Sequence, residues 1–98
     1  MKSFHFHEAA FGELFETSAA RGYLMTVAAG GRIEEHTESY DRLLVAVSDV
    51  KLRETSAGQD ASELVMKAGD VRWAVRGSIH AVTNAGTAPA TFITLELN

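Results

Sequence analysis

The chain contains no cysteine. Disulfides, thiolate nucleophiles and cysteine-ligated zinc are thereby excluded. It has no apolar stretch approaching the roughly 20 residues that a membrane-spanning helix needs. The opening residues, Met1-Lys2-Ser3-Phe4-His5, lack the apolar run of a signal peptide. A cytoplasmic protein without a membrane partner is expected. Positive charge is sparse: the net charge is -4 and the basic residues are scattered. No nucleic-acid partner is expected, because such a surface needs a concentrated basic patch. Helical periodicity is also missing. Glu8 to Phe15 is the nearest candidate, and Gly12 weakens it. Internal repeats, linkers, a serine-histidine-acid set and a phosphate-cradling loop are all absent from the sequence.

What the chain does contain is a series of short β-like runs separated by turn residues. Its 98 residues predict a single domain over 1–98 with an economical core. The composition, 46% hydrophobic and 22% charged, is ordinary for a soluble globular protein. Strands are predicted over Ser3–His7, Gly12–Glu16, Gly22–Ala28, Arg32–Glu38, Leu43–Val47 and Val50–Glu54. Four more follow over Glu63–Lys67, Val71–Val75, Ser78–Asn84 and Thr91–Leu97. Thr55 to Ser62 reads as the most exposed loop. Nine or ten short strands in so small a chain predict an all-β fold, a closed barrel or a two-sheet jelly roll, which limits exposed edges.

Side chains two apart on a strand share a face, so His36 and Glu38 project together. If that face lines a barrel, a divalent metal would neutralise the carboxylate and take the imidazole nitrogen. A corner at Ser39-Tyr40 resets the parity. With Leu43, Val45 and Val47 inward, Asp41 points inward as a further ligand and Arg42 faces away. His80, Val82 and Asn84 share one face after the permissive backbone of Gly77. Two histidines with a carboxylate suit non-haem iron, and Mn, Ni and Zn accept similar ligands.

Gly69, Val75, Gly77, His80 and Asn84 stand at the spacing G-x5-P-x-G-x2-H-x3-N, with valine at the proline position. This resembles the second motif of the cupins. Gly30, His36 and Glu38 resemble the start of the first cupin motif, G-x5-H-x-H-x3,4-E-x6-G. Glu38 stands where that motif has its second histidine, Asp41 comes one residue before the usual acid, and no glycine closes the motif near Ser48-Asp49. The resemblance covers about residues 23–97 and is nearest to small single-domain bacterial cupins of the cupin 2 conserved-barrel type. It implies a cupin-type jelly-roll barrel with a divalent metal (Fe, Mn, Ni or Zn) held by His36, Glu38, Asp41 and His80. It also implies a homodimer, for which Phe4, Phe6 and Phe11 offer an apolar surface.

Blander roles compete at each position. Glu38 is equally a solvated strand residue or the mark of a lost metal site, and Asp41 equally caps the corner. His5 and His7 oppose Phe4 and Phe6 and are expected at the surface. Arg72 and Arg76 share one strand face and Trp73 takes the other. One of these faces, with Tyr40 nearby, is a candidate pocket wall for an anionic or aromatic small molecule. A solvated arginine face with Trp73 in the core is the commoner outcome. Function therefore divides between a metal-dependent enzyme on a small polar metabolite (dioxygenase, isomerase or lyase type) and a non-catalytic binding, sensing or dimerisation module whose metal site is lost.

Overall fold

A computed structural model describes residues 6–98 of the chain, with side chains from residue 8 onward. All regular structure in this range is extended. The strands are β1 (Phe6–Glu16), β2 (Ala20–Thr37), β3 (Asp41–Ala46), β4 (Val50–Thr55), β5 (Ser62–Met66), β6 (Val71–Ala74), β7 (Ile79–Thr83) and β8 (Ala90–Leu97). The side chains of Phe4, His5, Phe6 and His7 lie outside the described residues, and so do the expectations attached to them. No helix among the described residues is long and apolar enough to cross a membrane.

Hydrogen bonding follows the order β5-β4-β7-β2-β8-β3-β6, with β1 paired to β2. Every pairing is antiparallel. The path curls into a jelly-roll barrel that is nearly closed, with β5 and β6 at its two ends. β2 serves both walls. Its first half, Ala20 to Val27, pairs with β8, and its second half pairs with β7 from Arg32 to Thr37. Eighteen extended residues would span about 60 Å, beyond the 36 Å longest extent of the molecule. The strand must therefore bend. It does so at Gly30, whose φ of 78° is open to glycine and strained for other residues. Gly30 and Gly31 are thus a bend inside one strand rather than a turn between two.

Alternation sorts side chains between the core and the outer surface. On the β2-β8-β3 wall the inward residues form cross-strand rows. Met25, Phe92 and Ala46 make a buried apolar row, and Arg21, Glu96 and Arg42 make a charged one. Val50, Leu52, Leu64, Met66 and Val82 complete the core from the opposite wall. The barrel interior is therefore apolar at one end and charged at the other.

Three expectations are corrected here. On β3 the buried residues are Arg42, Leu44 and Ala46, so Leu43, Val45 and Asp41 lie on the other face and Val47 is exposed. Both phases of this apolar run satisfy a strand, and the outer face of the wall is itself apolar, so hydrophobicity does not choose between them. Trp73 is not in the core: it is 51% exposed, on an edge strand, paired with the outward Leu43. Phe11 packs on the core and meets Tyr23 edge to face at 5.8 Å, so it is not a free apolar surface.

Candidate metal centre

His36 and His80 are direct cross-strand partners on β2 and β7. Their rings meet at 4.7 Å with an interplanar angle of 71°. Glu38 follows β2 immediately, and its backbone is clamped by the turn after β6. Gly77 donates to the Glu38 carbonyl at 2.8 Å, and the Glu38 amide donates to the Ser78 carbonyl at 2.8 Å. Gly77 has a φ of 105°, so the turn that grips Glu38 favours glycine. At the other end of this pairing Asn84 exchanges backbone bonds with Gly30 and Gly31. Its side chain donates to Val27 and Ala88 and accepts from Gly86, each at 2.9 Å. The two glycine-bounded segments are thus stitched together on both sides of the histidine pair.

The side chains converge on one carboxylate oxygen. Glu38 Oε2 lies 3.7 Å from His36 Nε2, 3.7 Å from His80 Nε2 and 3.1 Å from Arg42 Nε. Each imidazole is oriented from behind. His36 Nδ1 is 2.9 Å from the Glu34 carbonyl, which can only accept, so Nδ1 carries a proton and Nε2 is the nitrogen turned to the centre, where the neutral ring has its lone pair. His80 Nδ1 faces Glu54 Oε2 at 3.7 Å. Burial alone would lower the His80 pKa, but contacts with Glu38 and Glu54 outweigh it and push it up to about 9. The bond to His80 likewise pulls Glu54 down against the opposing effect of burial.

The donor set fits a divalent ion. One ligand atom from each of His36, Glu38 and His80 lies within 4.8 Å of the others. Ligands about 2.0–2.2 Å from such an ion stand roughly 3–3.5 Å apart, so a small inward closure suffices. Backing of the distal imidazole nitrogens by a carbonyl and a carboxylate is the usual support for metal-binding histidines. Arg42 on the same carboxylate oxygen is compatible, since that oxygen has two lone pairs. The interior cavity, about 40 Å³, has room for an ion with a water or two. Outside it opens a mouth of about 360 Å³ between β3-β6 and β4-β5, walled by the loop after β4. Arg42, Leu44, Glu54, Leu64 and His80 line both spaces.

Of the residues singled out in the sequence, the fold brings His36, Glu38 and His80 together and leaves the others apart. Asp41 faces away, and its Oδ1 accepts from the Arg76 amide at 2.9 Å. It ties the β3 start to the segment after β6. Arg72 lines the mouth and donates to the Val65 carbonyl at 3.3 Å. Tyr40 lines a separate hollow with Glu16, Thr17, Arg21, Glu96 and Asn98. Arg76 is exposed beyond β6. Sequence reasoning missed Arg42, Glu54, Tyr23 and Glu96. Glu54 had a signal: it continues the inward phase of Val50 and Leu52. Arg42 stands four residues after Glu38, a relation that carries no weight on a strand and matters only across the corner.

No protein-family model matches the chain, and no curated protein matches it in sequence. Solved structures do match. A cupin domain from Bordetella pertussis superposes with a TM-score of 0.85 at 17% identity, covering 92% of this chain and 93% of that one. The Cupin 2 domain of an XRE family transcriptional regulator from Enterobacter cloacae gives 0.71 at 18%, covering 94% and 98%. A Cupin 2 conserved barrel domain protein from Salinispora arenicola gives 0.69 at 19%, covering 98% and 82%. Strand order, barrel closure and these likenesses agree: the chain has the cupin-type jelly-roll fold.

Proposed function

We propose that the barrel interior binds a divalent metal through His36, Glu38 and His80 and presents it to a small polar molecule arriving from the mouth. One observation carries this reading. Two imidazole Nε2 atoms and a carboxylate converge while each Nδ1 faces an acceptor behind it. A bound ion would supply Lewis acidity to an oxygen of that molecule. The chain's own residues orient the ligands and hold Glu38 against Arg42 in a cavity of about 40 Å³. A metal-dependent enzyme of the dioxygenase, isomerase or lyase type fits this arrangement.

A second reading is favoured by Arg42. Its guanidinium already supplies a cation to Glu38, as expected of a metal-free pocket that binds or senses a small molecule. The cupin domain of the Enterobacter regulator is of interest for that reading. Metal analysis of untagged protein, set beside a His80→Ala variant, separates the two. Stoichiometric metal in the wild type that is lost in the variant supports the metal centre. Protein that stays metal-free after incubation with Mn, Fe, Ni and Zn removes it.

A further inference from the structure

We infer that Arg42 anchors a small carboxylate ligand, which enters by the mouth and docks beside the His36–Glu38–His80 cluster. The inference deepens the metal reading and rests on it only for the charge of the ion. Arg42 is deeply buried, with 6% of its side chain exposed, yet its guanidinium is poorly filled. Of five N–H donors, Nη1 makes one long contact of 3.5 Å with the Val75 carbonyl, and Nε lies 3.1 Å from Glu38 Oε2 as an ion-pair contact. Nη2 has no partner among the described residues. Buried donors are ordinarily matched, and no fully buried side-chain nitrogen or oxygen in the described residues is left over. The Nη edge therefore reaches open space, and the spaces that Arg42 lines are the interior cavity and the mouth.

Charge points the same way. Glu38 and Glu54 contribute two negative charges around the centre and Arg42 one positive. A divalent ion on neutral imidazoles leaves one positive charge over, in surroundings where an uncompensated charge is strongly disfavoured. A monoanion balances it. A carboxylate matches the flat guanidinium edge with two parallel hydrogen bonds, which a neutral amide or an amine cannot reproduce. The interior admits little more than that head group, so the rest of the ligand lies in the mouth, where Ser56, Gln59 and Ser78 offer polar contacts. Asp60 and Glu63 also border the mouth, but both are exposed and their fields are screened by solvent.

Acetate, acetamide and ethylamine, titrated into Co(II)-loaded protein and followed by the visible spectrum of the ion, test this. The same compounds are titrated into metal-stripped protein and followed by the NMR signal of the Arg42 Nε–H. Acetate should perturb both, and acetamide and ethylamine neither. Acetate should bind Arg42→Lys and Arg42→Gln about tenfold more weakly or worse, with circular dichroism confirming that the variants fold. Equal binding of acetate and acetamide by the wild type overturns the inference whether or not the variants fold. So does acetate binding Arg42→Gln as tightly as the wild type. Failure to take up cobalt counts against the metal reading alone. Acetate must then still shift the Arg42 signal, and no shift overturns the inference.

Discussion

Two carboxylates, Glu38 and Glu96, are buried inside this barrel and are held in different ways. Glu96, 2% exposed, is gripped closely: Arg21 donates to Oε1 at 2.7 Å and the Tyr23 hydroxyl to Oε2 at 3.0 Å. Glu38, 6% exposed, has three nitrogens gathered around a single oxygen at 3.1 to 3.7 Å. Tight pairing satisfies a charge and fixes a fold. Looser convergence of several donor atoms on one point leaves a position that an ion can enter. Burial of an acid therefore does not by itself mark a site, whereas the spacing of its partners does.

The largest expected effect tests the structural half of that contrast. Glu96→Gln should lower stability in urea unfolding by about 2–3 kcal/mol, because the close bonds from the part-buried Arg21 and from Tyr23 lose their charged acceptor, while metal uptake stays intact. Glu38→Gln should reverse the pattern. Stoichiometric metal should be lost, and stability should fall by only about 1–2 kcal/mol. His80 can shed its proton when the carboxylate charge goes, and Arg42, buried beside Glu38, still borders the cavity and mouth where water can reach its guanidinium. If both variants lose stability equally and keep metal equally, the contrast fails.

A weaker effect is expected from the residue behind His80. Glu54→Gln should reduce metal affinity by about 10- to 100-fold, measured by competition with a chelator, with little change in unfolding. The smallest effect lies at alkaline pH. Burial, then the Glu96 charge, raises the Tyr23 pKa well above its ordinary value of 10. The folded tyrosine stays neutral where the unfolded one ionises. Its contribution is therefore complete below pH 10 and declines as the pH climbs past that value. Tyr23→Phe should flatten this decline in urea unfolding measured from pH 9 to pH 11. An unchanged slope would place the alkaline sensitivity elsewhere.

Much of the centre was legible in the chain because period-two spacing is local. His36 and Glu38 share a face whatever surrounds them, and glycine at position 77 announces a turn ahead of His80. β3 shows where local reading stops. Leu43-Leu44-Val45-Ala46-Val47 is apolar in both phases, so the run itself does not say which phase is inward. The decision is made by pairing: the inward phase puts Arg42 beside Glu38 and in the same cross-strand row as Glu96, with Leu44 in the next inward row. Choosing the other phase assigned Asp41 to the centre and sent Arg42 to the surface. Trp73 was misplaced for a related reason. Its strand is an edge, and an edge leaves a large aromatic exposed when the neighbouring strand turns its own apolar side outward.

By itself, then, the chain determined an all-β fold, the two glycine-bounded segments, and the shared face of His36 and Glu38. Each is set by alternation or by a backbone that glycine permits. The tertiary structure alone decided that His36 and His80 are register partners, that Arg42 rather than Asp41 attends Glu38, and that Glu54 stands behind His80. Those relations join residues from separate strands, and they exist only once the barrel has chosen its registers.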